Sequence, residues 1–251
     1  MEAIKNRFTF NTKIMKQIIV ITDNATIYRS FKSLVSKLAI TNVRFSYYCS
    51  PGNRALFQNE IEEIEIAKSI SFLIENCQLL LSLHCQQLFP VALITKLRSV
   101  NIHPGLNPYN RGWYPHMYAI INGKPTGATI HEIDSTIDRG AIIVQKQVEV
   151  YTYDTSETLY KRVLDTELEL LEKHLPSIID NTYTPVPITE KGNYNSKKDF
   201  FNLCEIDMQE VGTFEQFYNK LRALSYKGYK NAWFIDKEGT KIFLNLNIER
   251  E

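Results

Sequence analysis

Gln17-Ile18-Ile19-Val20-Ile21-Thr22 is apolar and β-branched on both faces, the pattern of a strand covered on both sides. Asp23-Asn24 ends it. A helix is predicted over 26–38, where Ile27, Phe31, Leu34 and Leu38 recur at helical spacing. Val43–Tyr48 reads as a second strand, Ile61–Ile74 as a helix and Gln78–His84 as another buried strand. Pro90 opens a short helix that ends near Leu97. Val100-Asn101-Ile102-His103 is a strand that stops at Pro104-Gly105. Strands alternating with helices predict an α/β fold, an open, mostly parallel twisted sheet with helices on both faces.

The second half of the chain reads differently. Gly127–Ile133 and Ala141–Val150 are strand-like and flank a polar segment, Asp134–Gly140. Asp154-Thr155-Ser156-Glu157 fits a capping box. A long helix follows, with Leu164, Leu168, Leu171, Leu175 and Ile178 along one face and Pro176 interrupting its last turn. Residues 181–198, rich in Pro, Thr and Lys, read as a linker between a main domain, 1–180, and a small α+β appendix, 199–251. The appendix carries one helix, Thr213–Leu224. Two strands follow, Ala232–Ile235 and Lys241–Asn247, joined by a turn at Asp236–Gly239.

Composition narrows the function classes. The 251 residues are 44% hydrophobic and 23% charged, the proportions of an ordinary globular chain. With 29 basic and 28 acidic side chains the net charge is +1, too small a field to hold a polyanion or an acidic membrane surface. No apolar run approaches the ~20 residues of a membrane span. Met1–Lys16 lacks the apolar core of a signal peptide. Cys49, Cys77, Cys85 and Cys204 show no paired or ligand spacing, so reduced thiols and a cytoplasmic location are expected.

The chemistry-bearing residues are few. No GxGxxG follows the first strand, and no P-loop, GxSxG elbow or metal spacing occurs, so no metal is expected. Asn101 and His103 fall on one face of a strand, at the carboxyl end where open α/β sheets bind ligands. Asp138-Arg139-Gly140 lies further along the chain. An amide that donates to an oxyanion, an imidazole that takes a proton and a carboxylate that orients it suit acyl transfer to an amine. Taken alone, a His at a strand end is more often structural, and Asp-x-Gly is usually a turn.

The order and spacing of two motifs carry more weight. Asn101-Ile102-His103-Pro104-Gly105-Leu106-Asn107-Pro108 resembles the signature of the 10-formyltetrahydrofolate-dependent formyltransferases. So does Gly123-Lys124-Pro125-Thr126-Gly127-Ala128-Thr129-Ile130-His131, running on to Asp138-Arg139-Gly140-Ala141-Ile142-Ile143. The resemblance covers roughly Lys16–Val150 and implies that family's Rossmann-like core. It places the family's catalytic Asn, His and Asp on Asn101, His103 and Asp138. It also implies that the pterin of 10-formyltetrahydrofolate, the co-substrate, lies along Gln87, Leu88 and Phe89 and against Ile130, His131 and Asp138.

Within the family the chain looks most like the sugar N-formyltransferases that act on dTDP-amino sugars. The segment Asn107–Pro115, the run Ser82–Pro90 and the tail from Leu221 to Ala232 carry that likeness. Tyr109, Asn110, Arg111 and Trp113 are the expected substrate contacts. Arginine suits a pyrophosphate, and Tyr109, Trp113 or Tyr114 suits stacking on thymine. His84 and His131 read as structural strand residues, and His116 as a rim contact.

The implied reaction moves a formyl group to the amine of a dTDP-linked amino-dideoxyhexose for surface polysaccharide (O-antigen) biosynthesis. The expected acceptor is dTDP-4-amino-4,6-dideoxyglucose. Alternatives are a dTDP-3-amino-3,6-dideoxyhexose, glycinamide ribonucleotide or Met-tRNA. More remote are a formyltetrahydrofolate hydrolase and a non-catalytic nucleotide-sugar binder. Residues 201–251 carry seven basic and eight acidic side chains, not the basic face of a tRNA-binding piece. The resemblance implies instead that this region makes a homodimer, with Phe234 and Phe243 on an apolar face.

Overall fold

A computed structural model describes residues 15–249. The N-terminal stretch read above for a leader falls, except for its last two residues, outside the described residues. The strands are β1 (Lys16–Thr22), β2 (Val43–Cys49), β3 (Glu62–Glu63), β4 (Leu79–Leu83), β5 (Ser99–His103), β6 (Arg111–Gly112), β7 (Thr126–Glu132), β8 (Ile142–Val148), β9 (Tyr194–Asn195), β10 (Ala232–Ile235) and β11 (Lys241–Leu244). The α-helices are α1 (Ala25–Lys37), α2 (Ile70–Asn76), α3 (Val91–Ile94), α4 (Pro115–Asn122), α5 (Ser156–Asp180), α6 (Lys197–Cys204) and α7 (Phe214–Leu224).

Seven strands form one sheet in the order β3-β2-β1-β4-β5-β7-β8. The first five are parallel, and β7 and β8 join antiparallel. The chain leaves β1 toward β2 on one side and later returns to β4 on the other. The carboxyl ends of β1 and β4 therefore mark a switch point, where open α/β sheets form a binding crevice. Ile18, Val20, Leu79, Leu81, Val100, Ile102, Ala128 and Ile130 pack one face of the sheet against α1 and the far half of α5. Ile19, Ile21 and Leu80 pack the other against Leu73, Leu93 and Leu97. Burial on both faces is why β1 and β4 show no polar alternation.

Three local expectations give way to the structure. The segment 61–74 is not one helix: Glu62–Glu63 pairs with the end of β2, and the α-helix starts only at Ile70. Ile64 and Ile66 are buried and alternate with Glu63 and Glu65, an extended-chain period inside an apparently helical window. The α5 capping box is made by Thr155 and Thr158 rather than Asp154 and Glu157. Asp154 instead accepts from Arg162, Thr158 and the Tyr151 N–H. Pro176 sits inside α5, which continues to Asp180 because Leu175, Ile178 and Ile179 remain packed on the sheet.

The stretch 181–198 is tied to the main domain. Val186 bridges Ile142, and β9 pairs in parallel with β6. An unforeseen helix, α6, follows, capped by Ser196 and Asp199. The C-terminal part shares a core with α4 and α5, in which Phe200, Cys204, Ala223 and Leu224 meet Met117, Ile120, Leu159 and Val163. Ile235 and Phe243 of its hairpin stay exposed. Among the described residues no helix is long and apolar enough to cross a membrane.

Candidate active site

A cavity of about 980 Å³ opens at the carboxyl ends of β1, β4 and β5, lined among others by Asn24, His84, Asn101, His103, His131 and Asp138. It is large enough for a bulky ligand or two adjacent ones.

Asn101 and His103 reach its floor from the last turns of β5. The Asn101 amide nitrogen donates to Asp138 Oδ1 at 3.1 Å and lies 3.2 Å from His131 Nε2. His131 Nδ1 is 2.6 Å from the Glu132 carbonyl, which only accepts, so the network assigns the His131 proton to Nδ1. The Asn101–His131 pairing follows from sheet register, since the two residues lie opposite each other across β5 and β7.

His103 is 5% exposed. Burial pushes its pKa down to about 4, against the pull of Asp138; His131, His84 and Arg111 lower it further. The ring is therefore neutral at pH 7. Its Nδ1 lies 3.7 Å from Asp138 Oδ1, which favours the proton on that nitrogen. Its Nε2 is buried without a hydrogen-bond partner, a lone pair free to take a proton. Gly105 makes room for it: a Cβ there would stand 2.5 Å from His103 Nε2.

Asp138 arrives on the polar segment between β7 and β8, in the left-handed region at φ +50°. Burial opposes its ionisation, but His103, His131 and the Gly112 N–H outweigh this and hold its carboxyl well below the usual range. Oδ2 accepts the Gly112 N–H at 3.0 Å. A donor amide, a neutral imidazole with an open nitrogen and an ionised carboxylate thus meet at one point. That set can bind an ammonium, take its proton and stabilise negative charge on a carbonyl oxygen.

Other expected contacts sort by geometry. Trp113, Leu88 and Phe89 line the cavity, and Leu88 is 72% exposed at its mouth. Gln87 lines it too, but its side chain is spent: Oε1 accepts from Ile66 N, and Nε2 donates to Ser50 Oγ and the Ile64 carbonyl. Ile130 is fully buried in the sheet core, because its side chain points to the face opposite that of His131. Three of the expected substrate contacts do not line the cavity. Tyr109 hydroxyl donates to Glu190, Asn110 is buried among other asparagines, and Arg111 donates to the Ile137 carbonyl. These polar groups face the neighbouring 190–195 stretch and the Asp138 loop rather than the crevice.

Several lining residues carried no clear sequence signal. His84, read as structural, follows β4 at φ +58° and lines the cavity, with Nε2 within 2.9 Å of Glu167. Asn24, at the switch point, caps α1 with its oxygen and donates its nitrogen to Tyr160 hydroxyl at 2.9 Å. The buried Asp23 carboxylate accepts from Ser50, Asn53 and the Gln86 N–H, fixing the main chain of the 85–89 strip. His116 is a buried wall residue rather than a rim contact; Nε2 meets Ser156 and Nδ1 has no partner. Tyr114, Tyr160, Phe200 and Tyr226 make the wall around it aromatic. Among the described residues no group of three or more metal-ligating side chains forms a candidate metal site.

Residues 3–175 match the formyl transferase family model, and residues 199–250 match the N-formyltransferase dimerization C-terminal domain. A Mycobacterium tuberculosis dTDP-4-amino-4,6-dideoxyglucose formyltransferase is 42% identical over 206 residues, 80% of this chain and 88% of that protein. The structure of a 4-N formyltransferase from Francisella tularensis superposes with a TM-score of 0.90 at 41% identity, covering 95% of this chain and all of the other. A sugar N-formyltransferase from Shewanella sp. FDAARGOS_354 gives 0.90 at 37% identity, over 94% and 99% of the two chains. The matched catalytic core, the sheet order and the cavity at its switch point establish that the chain belongs to the formyl transferase family.

Proposed function

We propose that the protein is a cytoplasmic sugar N-formyltransferase. It moves a formyl group from 10-formyltetrahydrofolate to the 4-amine of dTDP-4-amino-4,6-dideoxyglucose, for surface polysaccharide biosynthesis. The observation that carries this reading is the neutral His103, its buried Nε2 without a hydrogen-bond partner, held beside an ionised Asp138 and a donor Asn101 in one cavity. The acceptor follows the relatives, named for 4-amino sugars, that match over most of both chains.

The residues present fit both ligands. The 85–89 strip, oriented by Asp23, and the 133–138 strip offer main-chain groups to a pterin along one wall. The co-substrate supplies the formyl group. On the other side Trp113, Tyr114 and Tyr160 offer aromatic faces to a nucleotide sugar.

The amino sugar arrives as an ammonium, and the ionised Asp138 binds it. Engaging Asp138 frees one Asn101 N–H to donate to the formyl oxygen as negative charge develops there. His103 takes the ammonium proton at Nε2, and the freed amine attacks the formyl carbon. After attack the sugar nitrogen still carries two protons. As the carbon–N10 bond breaks, one of them is given up and N10 of the departing tetrahydrofolate gains one. The formamide keeps its N–H, and the proton taken by His103 returns to solvent. The match of residues 199–250 supports a homodimer through the C-terminal part.

The test is tetrahydrofolate release with and without a dTDP-amino sugar. Release that requires the sugar supports the reading. Equal release without it would make the protein a formyltetrahydrofolate hydrolase.

A further inference from the structure

The Gly112 N–H that completes the shell of Asp138 is aimed by the stretch leading into the C-terminal part. Along β6 the N–H groups of Arg111 and Trp113 donate to the carbonyls of Asn193 and Asn195, each at 3.0 Å. The Gly112 N–H between them points away from β9 and onto Asp138 Oδ2, at 3.0 Å. A slip of one residue in this pairing would reverse that direction. Gly112 sits at φ +90°, and a Cβ there would lie 2.5 Å from the Asn195 carbonyl. Only glycine permits both the conformation and the close approach.

A cluster of amides around the buried Asn110 holds the register. Asn110, 1% exposed, accepts at Oδ1 from Asn193 Nδ2 at 2.7 Å and from Asn122 Nδ2 at 2.8 Å. Its N–H donates to Asn193 Oδ1 at 3.0 Å. A buried polar network is worth keeping only when its members satisfy one another, and then it fixes one geometry. The same strip grips the residue before Asp138, through Arg111 Nη1 on the Ile137 carbonyl at 2.8 Å. Asp138 adopts a left-handed conformation that a non-glycine residue rarely holds unaided.

We infer that Asn193, acting through the β6–β9 pairing and the Gly112 N–H, is a positioning residue for Asp138. The 193–195 stretch is then part of the machinery that sets turnover, not a passive tether. This rests on the reading of Asp138 as the carboxylate of the reaction.

The experiment is a kinetic cycle in the full chain with Asn193→Ala, Asp138→Ala and the double variant. Asn193→Ala should lower kcat about tenfold and leave KM for both the folate and the sugar nucleotide within about twofold. In the Asp138→Ala background the same change should cost less than about twofold, because there is no carboxylate left to position. A tenfold loss that persists without Asp138, or a rise in KM at unchanged kcat, would overturn the inference. Wild-type turnover in Asp138→Ala would overturn the reading of Asp138 instead. If Asn193→Ala does not fold, Asn195→Ala, which loses only a 3.4 Å amide contact to Asn110, should show the same pattern with a smaller loss.

Discussion

The amide nitrogen of Asn101 lies 3.1 Å from Oδ1 of Asp138, so in the proposed mechanism the donor to the oxyanion is held by the carboxylate that receives the ammonium. In that mechanism, binding of one reactant would release the group that serves the other. Asn101→Ala, His103→Ala and Asp138→Asn should each lower kcat about 100-fold or more, with circular dichroism unchanged. Combining Asn101→Ala with Asp138→Asn should cost much less than the product of the single losses. Steady-state rates of the three variants and the pair check this.

In the proposed mechanism the unpartnered nitrogen of His103 sets the pH response. An ordinary histidine base would lose half its activity near pH 6.5. With the His103 pKa at about 4, kcat should stay flat from pH 7 to 5 and fall only near 4. Stability follows the same groups. His103 and His116, pushed down to about 4 and about 3, fold neutral but take up protons when unfolded. Their contribution is full above the unfolded value near 6.5 and is lost as pH falls toward 4, at up to ~1.4 kcal/mol per pH unit for each. Denaturant titrations across pH 7 to 4 should show this slope, and His116→Gln should flatten it.

Gly105 is needed for its emptiness. In Gly105→Ala the new Cβ would meet the His103 ring at 2.5 Å and Pro115 at 3.1 Å. The ring must move, so kcat should drop about tenfold or more while folate binding, read by fluorescence titration, stays near the wild-type value.

Legibility differed sharply across the chain. The strands β1 and β4 could be read because burial on both sides leaves nearly continuous apolar runs, and β5 because Val100 and Ile102 precede the stop at Pro104-Gly105. Asn101 and His103 could be placed because strand alternation puts them on one face, and Asp138 only because a family motif carried it. Of the expected substrate contacts, Trp113 lines the cavity and Tyr109, Asn110 and Arg111 do not. Asn110 and Arg111 sit in a loop that looks built for a ligand, yet the Asn110 amide is claimed by Asn193, 83 residues later, and the Arg111 guanidinium by the Ile137 carbonyl, 26 residues later. Composition cannot show which partner a polar side chain will meet. Asn24 and Tyr160 are far apart in sequence and meet only because α5 crosses the switch point.

Arg111 and Trp113 therefore separate two roles. Arg111 is 8% exposed and braces the Asp138 loop, so Arg111→Ala should lower the melting temperature and kcat together. Trp113 faces the cavity, and Trp113→Ala should raise KM for the sugar nucleotide about tenfold with the folate KM unchanged. Thermal melts and paired KM values distinguish the two.

The most direct measurement is mass spectrometry of the products formed from 10-formyltetrahydrofolate carrying a labelled formyl carbon. The acceptor panel should hold dTDP-linked 3- and 4-amino-dideoxyhexoses, glycinamide ribonucleotide and Met-tRNA. Label appearing in dTDP-4-amino-4,6-dideoxyglucose as one added formyl group, and absent with His103→Ala, is the predicted result. Label recovered only as free formate, or on an acceptor outside the sugar nucleotides, would contradict the account.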